Sequence, residues 1–202
     1  MKYLLIDTSS KNLIVVAKND EKTVCYSDAN CGVNHSVALM PAIEDSLKKV
    51  ELNLKDADFL GCTVGAGSFT GIRIGVSTIK ALCFAYQKPC LSLTTFDAIA
   101  YNIQGEKVMA VIDAKHDCYY VCGYDKTKVT VEPCFINKDA LLEYQKEYRL
   151  LSFEEIDGIE LDVVSLSDGI VICGEQKANE KTFDYESLSP LYVRKSQAEE
   201  GR

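Results

Sequence analysis

The sequence predicts an α/β chain of two lobes, each a mixed β-sheet flanked by helices. Three observations carry that expectation: three short apolar runs separated by polar turns open the chain, a strand, glycine turn and helix lie at its centre, and the opening pattern returns after residue 104. At 202 residues and 47% apolar composition, the chain is long enough to bury a core as one domain or as two small lobes.

Tyr3 to Ile6, Leu13 to Ala17 and Thr23 to Tyr26 read as an antiparallel meander, because Thr8-Ser9-Ser10-Lys11-Asn12 and Lys18-Asn19-Asp20-Glu21-Lys22 punctuate them. A helix is expected from His35 to Val50, with Leu39, Ile43, Leu47 and Val50 on one stripe. Pro41 lacks the amide its turn needs and should kink it. Phe59 to Val64 reads as a buried strand, and Ile72 to Tyr86 carries helical spacing at Ile72, Val76, Ile79, Leu82 and Phe84. Cys90 to Leu93 and Thr95 to Ile103 give one more strand and helix. Gln104-Gly105-Glu106-Lys107 is a plausible hinge, so lobes are expected at residues 1–104 and 105–202, the second smaller and less regular. Ala110 to Val121 then lies on Leu4 to Val15 with an Ile-Asp pair in each, which points to a duplicated unit. The fold of residues 137–190 stays open, since helical and strand signals alternate weakly there. Gln197 to Arg202 are expected to trail in solvent.

Net charge is −8, and Leu151 to Asp168 holds Glu154, Glu155, Asp157, Glu160, Asp162 and Asp168 with no base. Nucleic-acid affinity draws largely on Lys and Arg displacing counterions, so any RNA role of this chain should be indirect and need a basic partner. Nine cysteines form no Cys-x-x-Cys pair, and several lie in apolar runs, which indicates neither a disulfide framework nor a zinc site. No run of 18 apolar residues exists, and Asp7 interrupts the opening where a signal peptide would continue; a cytoplasmic protein without membrane attachment is expected.

Gly65-Ala66-Gly67-Ser68-Phe69-Thr70-Gly71-Ile72-Arg73-Ile74-Gly75 brings bare backbone to a turn before an apolar helix. Unpaired amides and a partial positive charge at such a terminus can hold an anion. The spelling departs from a P-loop, which needs Lys and Ser or Thr after its last glycine, and from a dinucleotide fingerprint. Gly67, Gly71 and Gly75 recur every four residues, one helical turn, which clears a groove where a second helix can approach. A bulky residue at Gly75 should then weaken pairing with a partner and leave the fold intact; charge reversal at Arg73 should do so more mildly.

Two duplicated units, each offering an Asp at a polar turn, resemble the actin, sugar-kinase and chaperone ATPase architecture, an RNase H-like lobe used twice. With Ile6-Asp7-Thr8-Ser9, Asn34-His35-Ser36, the glycine motif, Ile112-Asp113-Ala114 and Pro190-Leu191-Tyr192-Val193-Arg194, the chain resembles the TsaB family, also called YeaZ, over nearly its whole length. That family usually has Pro where this chain has Ala66. The resemblance implies a non-catalytic member of the actin-like ATPase superfamily that pairs with the transferase TsaD, works with the ATPase TsaE, and serves threonylcarbamoyl transfer to the tRNA adenosine beside the anticodon. It implies a partner interface on the first two helices, at His35, Ser36, Leu39, Met40, Ile43, Leu47, Gly71, Ile72, Arg73, Gly75, Val76, Ile79 and Leu82, used by TsaD or by a second copy in a homodimer. Val37 and Met40 lie off the stripe of Leu39, Ile43 and Leu47, which gives the first helix apolar residues beyond its core face.

Catalysis within the chain is harder to assemble. The related catalytic subunits hold a metal with a His-x-x-x-His pair, whereas this chain has only His35 and His116, and Thr94-Thr95-Phe96-Asp97 stands where the paralogue has its histidines. No metal site is expected. Asp7, Thr8, Ser9 and Asp113 mark a vestigial nucleotide site, but Thr8-Ser9-Ser10 lacks the glycines that wrap phosphate and the second hairpin carries Lys115 and His116. ATP or ADP with magnesium is left to the complex. Gly65, Gly67, Ser68, Phe69 and Thr70 are read as a conformational loop. Two alternatives stay open: an active ATPase or kinase of the same fold, and a glycoprotease-like peptidase, for which Ser68 has no evident base.

Overall fold

The computed structural model describes residues 1–194. Gln197 to Arg202, expected to trail in solvent, lie outside the described residues. The chain divides into two compact units, one of Met1–Thr94 with Cys173–Leu191 and one of Thr95–Ile172 with Tyr192 to Arg194 of the described residues. This differs from a division at residue 104 in two ways: the short helix after residue 94 goes with the second unit, and a late segment returns to the first.

In the first unit β1 (Lys2–Asp7), β2 (Leu13–Asn19) and β3 (Lys22–Asp28) form the expected meander. Leu4 pairs with Ala17, and Val16 with Cys25. β1 and β2 are buried almost throughout, as their unbroken apolar runs require of central strands, while β3 alternates and forms the edge. Helix α1 (His35–Val50) packs on β2 and β3, and Glu51 ends it in the left-handed conformation, φ 56°, with its amide returning to the Leu47 and Lys48 carbonyls. β4 (Phe59–Thr63) then runs parallel to β1, α2 (Phe69–Tyr86) crosses over, and β5 (Cys90–Leu93) runs parallel to β4. The strand order is β3-β2-β1-β4-β5.

The second unit repeats that plan. After α3 (Thr95–Ala100), strands β6 (Lys107–Asp113), β7 (Cys118–Asp125) and β8 (Lys128–Asn137) form a second meander, and α4 (Lys138–Tyr144) leads to β9 (Arg149–Ser152), parallel to β6. β10 (Asp162–Val163) completes the order β10-β9-β6-β7-β8, and α5 (Leu166–Gln176) follows. Read from the meander edge the two orders are the same, and Asp7 and Asp113 each end the strand at the centre of their sheet. The two lobes expected from the repeated Ile-Asp hairpin, each a mixed sheet flanked by helices, are present.

The copies differ between their last two strands. Between β4 and β5 the chain inserts an 18-residue helix, whereas the acidic stretch between β9 and β10 has none. Residues 137–190, unassigned from sequence, thus hold α4, two short strands and α5. Each unit has its own apolar core, around Leu4, Ile6, Leu39, Ile43, Leu60 and Ile79 in the first and around Met109, Val111, Tyr119, Val121 and Leu141 in the second. Fully burying one such side chain stabilises by about 1.5–3 kcal/mol. No helix among the described residues is long and apolar enough to cross a membrane.

Candidate functional site

The glycine turn is built against the first hairpin. β1 and β4 are parallel neighbours, so the loop after Asp7 and the loop after Thr63 leave the sheet at the same end. Gly65 and Gly67 have φ of 118° and 151°, a region closed to most side chains. A Cβ at Gly67 would overlap the Ser9 carbonyl, and one at Gly71 the Thr8 carbonyl. At Gly75 it would stand 2.6 Å from Thr8 Oγ1. Hydrogen bonds close the same seam: the Ser68 amide donates to the Ser9 carbonyl at 2.6 Å, and Thr8 Oγ1 donates to the Gly71 carbonyl at 2.7 Å. Ser68 caps α2 by accepting from the Gly71 amide at 3.3 Å.

The glycine spacing therefore reports a close approach, but to the turn of the chain's own first hairpin. Gly71, Ile72, Gly75, Val76 and Ile79 are buried in the first unit, and so are His35, Leu39 and Ile43 on α1. Their space is filled by the first hairpin and by the core of the unit, so they present little surface outward. His35 Nε2 donates to the Asn12 carbonyl at 3.1 Å, a structural bond that ties α1 to the first hairpin. The expectation that a bulky residue at Gly75 would spare the fold is corrected by Thr8.

Outward-facing stripes remain on both helices. Of the residues expected at an interface, Ser36, Met40 and Arg73 are exposed and Leu47 and Leu82 half-buried. Val37 is 75% exposed and Met40 41%, one turn apart on α1; Phe84 is 69% exposed on α2, which packs beside α1. Phe84 was expected on the apolar stripe of α2; it points away from it. Ile72, Val76, Ile79 and Cys83 already define the buried face, and Phe84 follows Cys83 by about 100° of helical rotation. That offset was the available signal. Arg73, Ser77, Ala81 and Phe84 make the exposed stripe, with the Arg73 guanidinium 6.0 Å from the Phe69 ring centre. α2 carries Arg73 and Lys80 and no acid, unlike the chain as a whole.

Asp7, Thr8 and Ser9 are fully enclosed. Asp7 Oδ1 accepts from Thr63 Oγ1 and from the Ser9 amide, while Oδ2 is buried with no hydrogen-bond partner. Burial pushes the carboxyl up, against the pull of the Thr63 and Ser9 bonds, and favours its neutral form. Magnesium and nucleotide phosphates, which the fold family implies, need an accessible carboxylate and free amides. These residues do not fit that group, since the Asp7 carboxyl is sealed and the amides of Ser9 and Asn12 are taken by Asp7 and by Ser10 Oγ. In the second unit, burial alone would raise Asp113. The Lys115 amide and ammonium, at 2.7 and 2.6 Å, outweigh it and hold the carboxyl below its ordinary value.

Among the described residues no group of three or more His, Cys, Asp or Glu is placed to hold a metal ion. Burial pushes the Cys83 and Cys122 thiols up to about 12 and Cys62 higher still, so these thiols are poor nucleophiles.

Comparison with known proteins agrees with the motif. The chain is 28% identical over 130 residues to the tRNA threonylcarbamoyladenosine biosynthesis protein TsaB of Escherichia coli (strain K12), covering 62% of this chain and 56% of that protein. It is 29% identical over 102 residues to the TsaB of Bacillus subtilis (strain 168), covering 50% and 44%. The chain spans about half the length of the curated relatives it matches. YeaZ from Pseudomonas aeruginosa superposes with a TM-score of 0.76 at 21% identity, over 95% of this chain and 99% of that one, which shows a shared fold. The likeness to TsaB and YeaZ that the motifs suggested is thus present in sequence and in fold. The model of the TsaD family, tRNA N6-adenosine threonylcarbamoyltransferase, matches residues 29–184, most of the chain, and the chain belongs to that family.

Proposed function

We propose that this chain is a non-catalytic subunit for the threonylcarbamoyladenosine modification of tRNA, which pairs with TsaD, works with TsaE, and touches tRNA only through the complex. The observation that carries the proposal is the pair of outward stripes on α1 and α2, where Val37, Met40 and Phe84 leave apolar surface in water on two adjacent helices. Such surface on neighbouring helices suits a helical partner, and the absence of any acid from α2 suits a partner face that is neutral or acidic. The enclosure of Asp7 and the use of the first-hairpin amides by the chain itself support the non-catalytic half of the reading. Without TsaD, the same stripes are the place for a second copy.

A reconstituted assay tests this directly. Threonylcarbamoyladenosine is measured on transcribed tRNA with TsaD and TsaE, with and without this chain. Modification that depends on the chain, together with no ATP turnover or peptide cleavage by the chain alone, is the expected result; turnover by the isolated chain would favour the ATPase or peptidase alternative.

A further inference from the structure

The chain returns to the first unit from Cys173, within α5, and residues 178–191 then cross the edge of its sheet. A short 3-10 turn (Ala178–Glu180) begins the segment. Thr182 then pairs with Cys90 of β5, the two residues exchanging amide-to-carbonyl hydrogen bonds of 2.8 and 2.9 Å. Cys90 Sγ lies beneath this bridge, donating to the Thr182 carbonyl at 3.3 Å. Asp184 organises the next turn by accepting from the Glu186 and Ser187 amides. Leu188 is 1% exposed and sits in the core of the first unit, with Tyr185 and Leu191 half-buried against it. At the far end the Leu191 amide donates to the Val64 carbonyl at 2.7 Å, and a Cβ at Gly65 would lie 2.7 Å from the Leu191 carbonyl.

The fastening is uneven. One residue pair, Ala178 and Leu188 as buried anchors, Tyr185 and Leu191 half-buried, and one terminal hydrogen bond hold the segment, while Phe183, Asp184, Glu186, Ser187 and Ser189 are exposed. Elements attached by few buried groups open at lower free energy than the core beneath them. What this one touches is not neutral ground, since Val64 and Gly65 form the turn that launches α2.

From this geometry we infer that residues 178–191 are a strap that opens independently of the first unit's core, and that its closure fixes the glycine turn and so the start of α2. Cys90 reports on it. Cys25 is exposed, Cys90 is covered by the strap, and Cys62, on β4, is buried in the core, so one molecule carries a fast control, a probe and a slow control.

The experiment is timed alkylation of the full chain with N-ethylmaleimide under native conditions, read cysteine by cysteine by peptide mass spectrometry. In the parent, Cys90 should react more slowly than Cys25 and clearly faster than Cys62. Leu188→Ala, which removes the buried anchor, should speed Cys90 by roughly tenfold or more with Cys62 unchanged, because labelling tracks the population of the open form. Leu191→Pro deletes one amide and keeps the anchor; it should give a smaller increase and faster hydrogen exchange at residues 64–71, with α1 unaffected. Cys90 reacting in step with Cys62 in parent and variants, or at the parent rate in both variants, would overturn the independent strap. Unchanged exchange at residues 64–71 in Leu191→Pro would overturn its hold on the glycine turn.

Discussion

A methyl group placed on Gly71 would run into the Thr8 carbonyl, and the same neighbour crowds Gly75. Both glycines are therefore packing devices, and Gly71→Ala or Gly75→Leu should destabilise the first unit by about 1–3 kcal/mol in urea unfolding. A variant at either position as stable as the parent would contradict this packing. Asp7 supplies a second residue-level test. Its carboxyl is raised in the folded chain by burial, so the folded state keeps a proton that the unfolded state releases. Stability should then fall as pH rises from below the unfolded carboxyl value, about 4, up through the folded one. In Asp7→Asn that loss is absent, so the parent should weaken relative to the variant between acid and neutral pH; a parent that strengthens instead would mean that Asp7 is ionised in the fold.

The helices separate a face turned inward from one turned outward, and substitutions should respect that division. Val37→Asp and Phe84→Asp change exposed positions and should shift unfolding by no more than about 0.5 kcal/mol. If these stripes seat the partner, the same changes should weaken its binding by roughly tenfold or more, since an anchor of an interface is typically worth over 1 kcal/mol. Titration of TsaD with parent and variants decides it. Much at this scale was legible in the sequence: α1 spans the residues its apolar stripe marked, and the meander strands match their runs to within two residues. The target of the glycine turn was not legible. Spacing by four announces that something comes close, but the identity of the neighbour depends on β1 and β4 pairing across the intervening α1, a non-local event with no local signature.

Across the whole molecule, the duplicated plan was visible in one short self-match because both copies must end their central strand on an Asp at a tight turn. Two features escaped for a physical reason. The missing helix between β9 and β10 leaves no pattern, only an acidic connection, and the return of residues 178–191 to the first unit rests on the Thr182–Cys90 pairing and a few apolar groups such as Tyr185, Leu188 and Leu191, too few positions to set a period. The residues expected at an interface divide for a related reason: the apolar pattern alone does not separate core from surface, and most of that set is buried. The most direct test is threonylcarbamoyladenosine formation on transcribed tRNA by TsaD and TsaE, supplied with the parent chain, with the Val37→Asp, Phe84→Asp double variant, or with neither. The account predicts product with the parent only; product without the chain, or equal product with the folded double variant, would contradict it.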